Sequence, residues 1–333
     1  MNFFYLRILF IIHIYIYMVK LFETNNILIK YNLFWQYPVI TEEEFYNQNK
    51  DDVNYCGLPW ATFIDKGIHT NQLIHALLPY FTHKNYYTCC QHIYFRKIIP
   101  LLKILGIKRI YTPHKIKNED FIHDVEILPC PLYAVNFEDN NRNSIFKNID
   151  FLNFKRKYLF SFMGAYQDIY ISDIRLDIFN LKCDSNEAKI INTGEWHFNN
   201  IVYSSKQNKE KGINSDKKQI LNTEKYNELL LNSRYSLCPS GSGPNSIRFW
   251  ESIACGSIPV ILSDNLDLIK DIDWINTIVF VNEKEINNIN NILKNIPVKR
   301  ENQLRKNCIK VYNIVRSNYK SYQITDKNDI KDI

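Results

Sequence analysis

Glycine and proline are scarce in this chain, nine and eleven among 333 residues, and they follow no fixed period. A collagen-like repeat is thereby excluded, and no sustained heptad supports a coiled coil. No C-x-x-C occurs, so a zinc site has little to build on. No Gly-Lys-Ser/Thr follows a glycine turn and no G-x-G-x-x-G opens an N-terminal βαβ unit. Walker-type nucleotide binding and a nicotinamide oxidoreductase lose their support. Nor is there a block of one charge. The 41 Lys and Arg against 35 Asp and Glu give a net charge of +6, and the lysines are diluted with asparagine, which argues against a nucleic-acid partner. What is present is 46% hydrophobic and 14% aromatic sequence, enough to exclude global disorder. The length suits one large domain or, more naturally, two.

The eight cysteines lie far apart except for Cys89-Cys90, and several sit inside apolar runs. Buried, reduced thiols in a reducing compartment are the expectation, with a cytoplasmic location favoured and a membrane-anchored, Golgi-type location as the alternative. The alternative arises from Phe3 to Val19, apolar apart from Arg7 and His13 and followed by Lys20. This run is short for a spanning helix, carries an internal Arg and is followed by no small-residue cleavage site. It reads as a signal anchor, a weakly membrane-associating segment, or sequence upstream of a start at Met18.

From Tyr31 to Tyr133 short apolar runs alternate with turn and cap signals, the rhythm of an α/β domain. Thr41 followed by Glu42, Glu43 and Glu44 predicts a helix start. Gly57 to Asp65 predicts a turn and a strand ending in a carboxylate. A helix is predicted from about Gln91 to Leu105, stopped by Gly106, then strands over Ile107–Tyr111 and Val125–Leu128. Glu, Asp, Asn and Arg replace apolar residues over Asn136 to Asn153, which reads as an interdomain linker. The resulting division is an apolar segment 1–20, an N-terminal Rossmann-like domain 21–150 and a C-terminal domain 151–325. The second begins with the strand Tyr158–Gly164, followed by a helix over Ser172–Phe179 and a strand near Lys189–Asn192. Ser204 to Lys218 reads as a surface loop, Thr223 as a helix cap, and Leu304, Cys308, Val311, Tyr312 and Val315 as one face of a final helix. From about Asp326 the chain is a charged tail.

The chemistry concentrates in Ser233 to Asp264, which parses as strand, glycine turn, helix, glycine stop and strand. In the turn, Ser240, Gly241, Gly243, Asn245 and Ser246 let backbone N–H groups approach a ligand while the next helix points its positive end at the same place. Such a cradle suits a diphosphate. Arg248, in the first helical turn, is a partner for phosphate oxygens, and Glu251 is an acceptor for the two hydroxyls of a ribose. The structural alternative is an ordinary i,i+3 salt bridge between them on a solvated face.

Ser233-Arg-Tyr, Leu237-Cys-Pro, the glycine turn, Ser246-x-Arg248-x-x-Glu251-Ser-Ile-Ala-x-Gly256-Ser-Ile-Pro259-Val-Ile-Leu-Ser-Asp264 together resemble the signature of the exostosin glycosyltransferases. Leu159-Phe-Ser-Phe-Met-Gly164 with Ile174-Arg175 resembles the strand, glycine and arginine that open that family's C-terminal half, and Asp273-Trp274 matches as well. The resemblance covers Tyr158 to Val281 and is weak before Asn136.

It implies an α/β fold of GT-B type, two facing Rossmann-like domains with mainly parallel sheets, and transfer of a sugar from a UDP- or GDP-sugar to a glycan acceptor with inversion. Gly164 and Arg175 would join the donor site. The nucleotide-sugar is a substrate, no cofactor is expected, and no bound metal is expected, Asp271-Ile-Asp273 belonging to the structural Asp-Trp feature. Inversion requires a base, normally from the N-terminal domain, for which Asp65, His92 and His114 are candidates. Each has a dull alternative as a cap, a helix residue or a turn residue. His197, beside Trp196, is a weaker candidate for sugar contact. Two other readings remain: a non-catalytic sugar- or nucleotide-binding module of the same fold, and a fucosyltransferase-like enzyme, against which Leu237-Cys-Pro239 speaks.

Overall fold

A computed structural model describes residues 29–68, 70–81, 85–195 and 217–319. The apolar run 3–19, Met18, Trp196 and His197, most of the loop 204–218 and the tail from Asp326 lie outside the described residues. Among the described residues, no helix is long and apolar enough to cross a membrane. The chain divides into two compact units. One comprises Glu42–Thr112 and Asp120–Leu128 with the residues up to Gln36, and the other comprises Pro129 onward together with Tyr37–Thr41 and Pro113–Glu119.

The first unit carries helices α1 (Thr41–Asn49), α2 (Trp60–Asp65), α3 (Thr70–Leu77) and α4 (Ile99–Ile104), and a four-stranded sheet in the order β1-β2-β4-β3. Its strands are β1 (Tyr86–Cys89), β2 (Ile107–Thr112), β3 (Phe121–Ile122) and β4 (Val125–Pro129). Strands β1 and β2 run parallel and β3 and β4 antiparallel. Trp60, Phe95, Leu102, Ile110 and Ile127 form its core.

Two expectations fail in this unit. Gly57–Asp65 ends in helix α2 instead of a strand, because a short apolar run carries no period of its own and tertiary partners decide. The deciding partner is Glu42, whose buried carboxylate accepts the Ala61 N–H at the start of α2 (3.1 Å) and the Gln91 N–H (3.0 Å). The helix expected from Gln91 begins only as a 3₁₀ turn, Phe95–Ile98, and becomes α4 at Ile99. Pro100 lacks an N–H and sits only in the first turn of a helix, so it fixes the start there. Gly106, at φ +73°, ends α4 as expected.

The second unit is built on a wholly parallel sheet, β6-β5-β7-β8-β9. Its elements are α5 (Val135–Glu138), β5 (Tyr158–Gly164), α6 (Ile174–Asn180), β6 (Ala188–Asn192), α7 (Lys217–Leu231), β7 (Ser233–Pro239), α8 (Ile247–Ala254), β8 (Ile258–Leu262), β9 (Val279–Phe280), α9 (Ile289–Lys294) and α10 (Val298–Ser317). Every residue of β8 is buried, as a strand covered on both faces must be, and its sequence accordingly does not alternate. Phe160, Tyr235, Leu237, Trp250 and Val260 form the core with Leu304, Cys308 and Val311 of α10. Burying each large apolar side chain stabilises by about 1.5–3 kcal/mol.

Thr223 is not a cap. It lies within α7, where its hydroxyl accepts from Arg142 Nη1 (3.2 Å). The stretch 136–153 carries α5 and a 3₁₀ turn, Ser144–Phe146, and belongs to the second unit. All eight cysteines are free thiols and seven of them are buried.

Candidate functional site

Parallel strands deliver their C-terminal ends to one edge of the sheet, where ligands of open α/β sheets bind. At that edge of the second unit stand Gly164, the turn Ser240–Ser246 and Ser263-Asp264. The turn closes on itself through Gly241 N–H to Gly243 O (2.9 Å) and is tied to β8 through Ser240 N–H to Leu262 O (3.0 Å). Asn245 shapes it. Its Oδ1 accepts from Ser246 N–H (2.8 Å) and Trp250 Nε1 (3.1 Å), and its Nδ2 donates to Pro113 O (2.9 Å). These bonds hold Ser246 as the N-cap of α8, with no side chain capping the first N–H groups. The N-terminal end of a helix, where N–H groups lack intrahelical partners, is where anions bind in general.

Arg248 and Arg175 both come to this edge. Arg248 is 8% exposed, its guanidinium lies over the rings of Phe162 (4.8 Å) and Tyr226 (4.9 Å), and Nη2 donates to Met163 O. Its Nη1 is buried with no hydrogen-bond partner in the protein. Arg175 donates from Nε to Ser240 O (2.7 Å) and from Nη1 to Ala165 O (3.2 Å), and lies over Tyr170 (4.7 Å). Burial pushes its guanidinium down to about 10, assisted by the positive charge of Arg248. Gly241 permits this approach, since a Cβ there would stand 2.8 Å from Arg175 Nη2.

Glu251 takes another course. It is 2% exposed, with Oε1 accepting the Asn136 N–H (3.0 Å) and Oε2 the Tyr226 hydroxyl (2.6 Å). Burial raises its carboxyl above the ordinary value. Both oxygens are thus held by protein donors in the interior, and a ribose role for Glu251 would require these donors to share or give way. The surface i,i+3 salt bridge fails, because neither residue is on a solvated face. Asp273 does cap a 3₁₀ turn, Trp274–Asn276, by accepting the Asn276 N–H (3.2 Å).

One carboxylate at this edge escaped the sequence reading. Glu283, two residues beyond Val281, is half-buried. Its N–H donates to Asp264 Oδ1 (3.2 Å). Burial pushes its carboxyl up. No motif announces it, since only the fold returns the chain after β9 to the glycine turn.

The three candidate bases part company. Asp65 and His92 meet in the first unit, with His92 Nε2 and Asp65 Oδ1 2.9 Å apart. The Tyr94 N–H donates to His92 Nδ1 (2.9 Å), so Nε2 carries the ring proton and donates to Asp65. Gln36 Nε2 donates to the other carboxylate oxygen (2.5 Å). His114 lies elsewhere, buried in the segment Pro113–Glu119 of the second unit. That segment pairs Ile116 with Leu266 and joins Lys115 to Asp267.

The α/β units and the parallel sheet with its glycine turn define a glycosyltransferase fold of GT-B type. The family model of the exostosin GT47 domain matches residues 106–296, and the chain belongs to that family. An exostosin-1 homolog of Caenorhabditis elegans is 27% identical over 168 residues, covering 50% of this chain and 42% of that protein. A probable glycosyltransferase of Arabidopsis thaliana is 36% identical over 88 residues, 26% of this chain and 19% of that protein. A probable β-1,4-xylosyltransferase of the same plant is 37% identical over 76 residues, 22% and 18% of the two chains. The matched part thus spans less than half the length of each of these relatives.

Proposed function

We propose that this protein is an inverting glycosyltransferase that moves a sugar from a UDP- or GDP-sugar to a hydroxyl of a glycan acceptor without a bound metal ion. The observation that carries the reading is Arg248 Nη1, a buried guanidinium donor with no protein partner beside an uncapped helix start. A buried donor left unmade costs about 1–3 kcal/mol, and a diphosphate oxygen would satisfy it. When the bond between the anomeric carbon and the diphosphate breaks, charge develops on the leaving oxygens. Arg248, Arg175 and the first N–H groups of α8 supply the compensating donors. The likeness to a probable β-1,4-xylosyltransferase supports sugar transfer.

The acceptor oxygen bonds to the anomeric carbon as the diphosphate leaves, and its proton goes to a base. Asp65 suits this role better than His92. Both nitrogens of His92 are engaged, whereas the Asp65 carboxylate keeps lone pairs beyond those taken by Gln36 and His92. Gln36 and His92 are then positioning residues.

Calorimetry of the full chain with UDP, GDP, CMP and their sugars, in EDTA, tests the donor half. Selective binding of one diphosphate, weakened about tenfold to a hundredfold in Arg248→Gln, is expected. Binding that appears only with added Mn²⁺ would remove the metal-free claim, and equal binding by the variant would remove the site. Asp65→Asn is expected to abolish transfer while keeping donor affinity. A folded wild type that binds donor and transfers nothing to any glycan would leave a binding module.

A further inference from the structure

Arg248 and Glu251 stand about one turn apart on the same side of α8, and both reach the same third residue. That residue is Tyr226 of α7, whose ring faces the Arg248 guanidinium (4.9 Å) and whose hydroxyl donates to Glu251 Oε2 (2.6 Å). We propose that Tyr226 is a positioning residue of the donor site: its ring, tied down by Glu251, turns the Arg248 guanidinium so that Nη1 is kept for the diphosphate. The inference rests on the donor-site reading above.

Three groups hold the guanidinium. The Phe162 ring (4.8 Å) and Met163 O, which accepts from Nη2, both come from β5, and Tyr226 supplies a hold from a second element. Phe162 is fully buried and is shared, since the Arg175 guanidinium also lies over it (5.8 Å). Two cations gathered at one ring repel each other, so a second ring facing Arg248 alone of the pair offsets that repulsion. A ring face attracts a guanidinium without consuming any of its N–H donors, whereas a carboxylate would take the fork and cancel the charge. Glu251 is near enough in sequence to do that, yet its oxygens accept from the Asn136 N–H and the Tyr226 hydroxyl. Burial and the Glu251 charge hold the Tyr226 hydroxyl well above its ordinary value, so it stays protonated and remains a donor. Arg248 is thereby fixed in place with Nη1 buried and without a protein partner, the condition in which a diphosphate oxygen can claim it.

Calorimetry of UDP and GDP on the full chain tests this. Tyr226→Leu is expected to weaken the better-bound diphosphate about tenfold, and Tyr226→Phe, which keeps the ring, to recover most of that loss. In an Arg248→Gln background Tyr226→Leu is expected to cost nothing further, because the ring has no cation left to place. Phenylalanines carrying one, two and three fluorines at position 226 keep the shape of the ring and withdraw charge from its face. Affinity is expected to fall in steps along that series from Tyr226→Phe, whereas a packing role would leave the series flat. The series also keeps the proposal falsifiable if Tyr226→Leu fails to fold. A flat series overturns the proposal, and so does a Tyr226→Leu loss that is as large in the Arg248→Gln background as in the wild type. If folded wild type binds neither UDP nor GDP, the donor-site reading has failed and this inference with it. Diphosphate binding that is lowered by Arg248→Gln and indifferent to Tyr226→Leu defeats Tyr226 alone.

Discussion

Arg248 and Glu251 stand three residues apart on α8 and have opposite fates, one with a donor left over and one with both oxygens taken. Glu251→Ala strands the Tyr226 hydroxyl and the Asn136 N–H in the interior. A loss of about 2–4 kcal/mol in urea unfolding is expected, with little change for a surface control. Gly241→Ala has a different signature. Its Cβ would meet Arg175 Nη2 at 2.8 Å and push aside a guanidinium that Ser240 O and Ala165 O hold. Calorimetry is expected to show diphosphate affinity lowered about tenfold while the melting temperature moves little. At this scale the sequence was informative wherever the chemistry is local. The glycine turn before α8 and the arginine in its first turn do come together at the sheet edge, because their placement is set locally. The partners of Glu251 lie 25 and 115 positions away, and no spacing rule connects them.

Elements were legible in proportion to how completely their own residues determine them. Strand β8 is a continuous apolar run, Ile258-Pro-Val-Ile-Leu262, because the sheet is covered on both faces, β5 is apolar but for Ser161 and its closing glycine, and α10 shows its buried face at helical spacing. Helix α2 was missed because six residues beginning after Pro59 are too few to show a period, and Glu42 supplies what their pattern lacks. That arrangement has a pH signature. Burial pushes the Glu42 carboxyl up to about 8 from its ordinary 4.5. Between these values the folded protein holds a proton that the unfolded chain has released, so stability falls as pH rises, by at most about 1.4 kcal/mol per pH unit. Above about 8 there is no further loss from this group. Urea midpoints across the window are expected to decline in the wild type and to flatten in Glu42→Gln. Arg156 supports two helix ends at once, donating to Leu230 O and Leu231 O in the last turn of α7, to Ser233 O at the start of β7 and to Cys255 O just after α8. Arg156→Ala is expected to lower the unfolding free energy by about 2–4 kcal/mol in the same assay, since four carbonyls lose a charged donor.

The whole molecule was the least legible scale. Polar composition over 136–153 marks local exposure, and local exposure says nothing of which unit a segment joins. Tyr37 belongs with the second unit because its hydroxyl donates to Asp139 Oδ2 (2.6 Å), and Pro113 because its carbonyl accepts from Asn245 (2.9 Å). A fragment beginning at Pro129 therefore lacks these partners and the Lys115 ammonium paired with Asp267. Circular dichroism is expected to show it melting well below the full chain, and a fragment as stable as the parent would contradict this accounting of the bonds. The same interleaving governs how the protein comes into being. A ribosome releases Tyr37–Thr41 and Pro113–Glu119 long before the turn, loop and helices that receive them. The nascent second unit has to gather two early pieces of chain across long loops, and closing such loops is slow. Its completion therefore waits on the synthesis of the residues through α10, while the residues of the first unit are already free to fold.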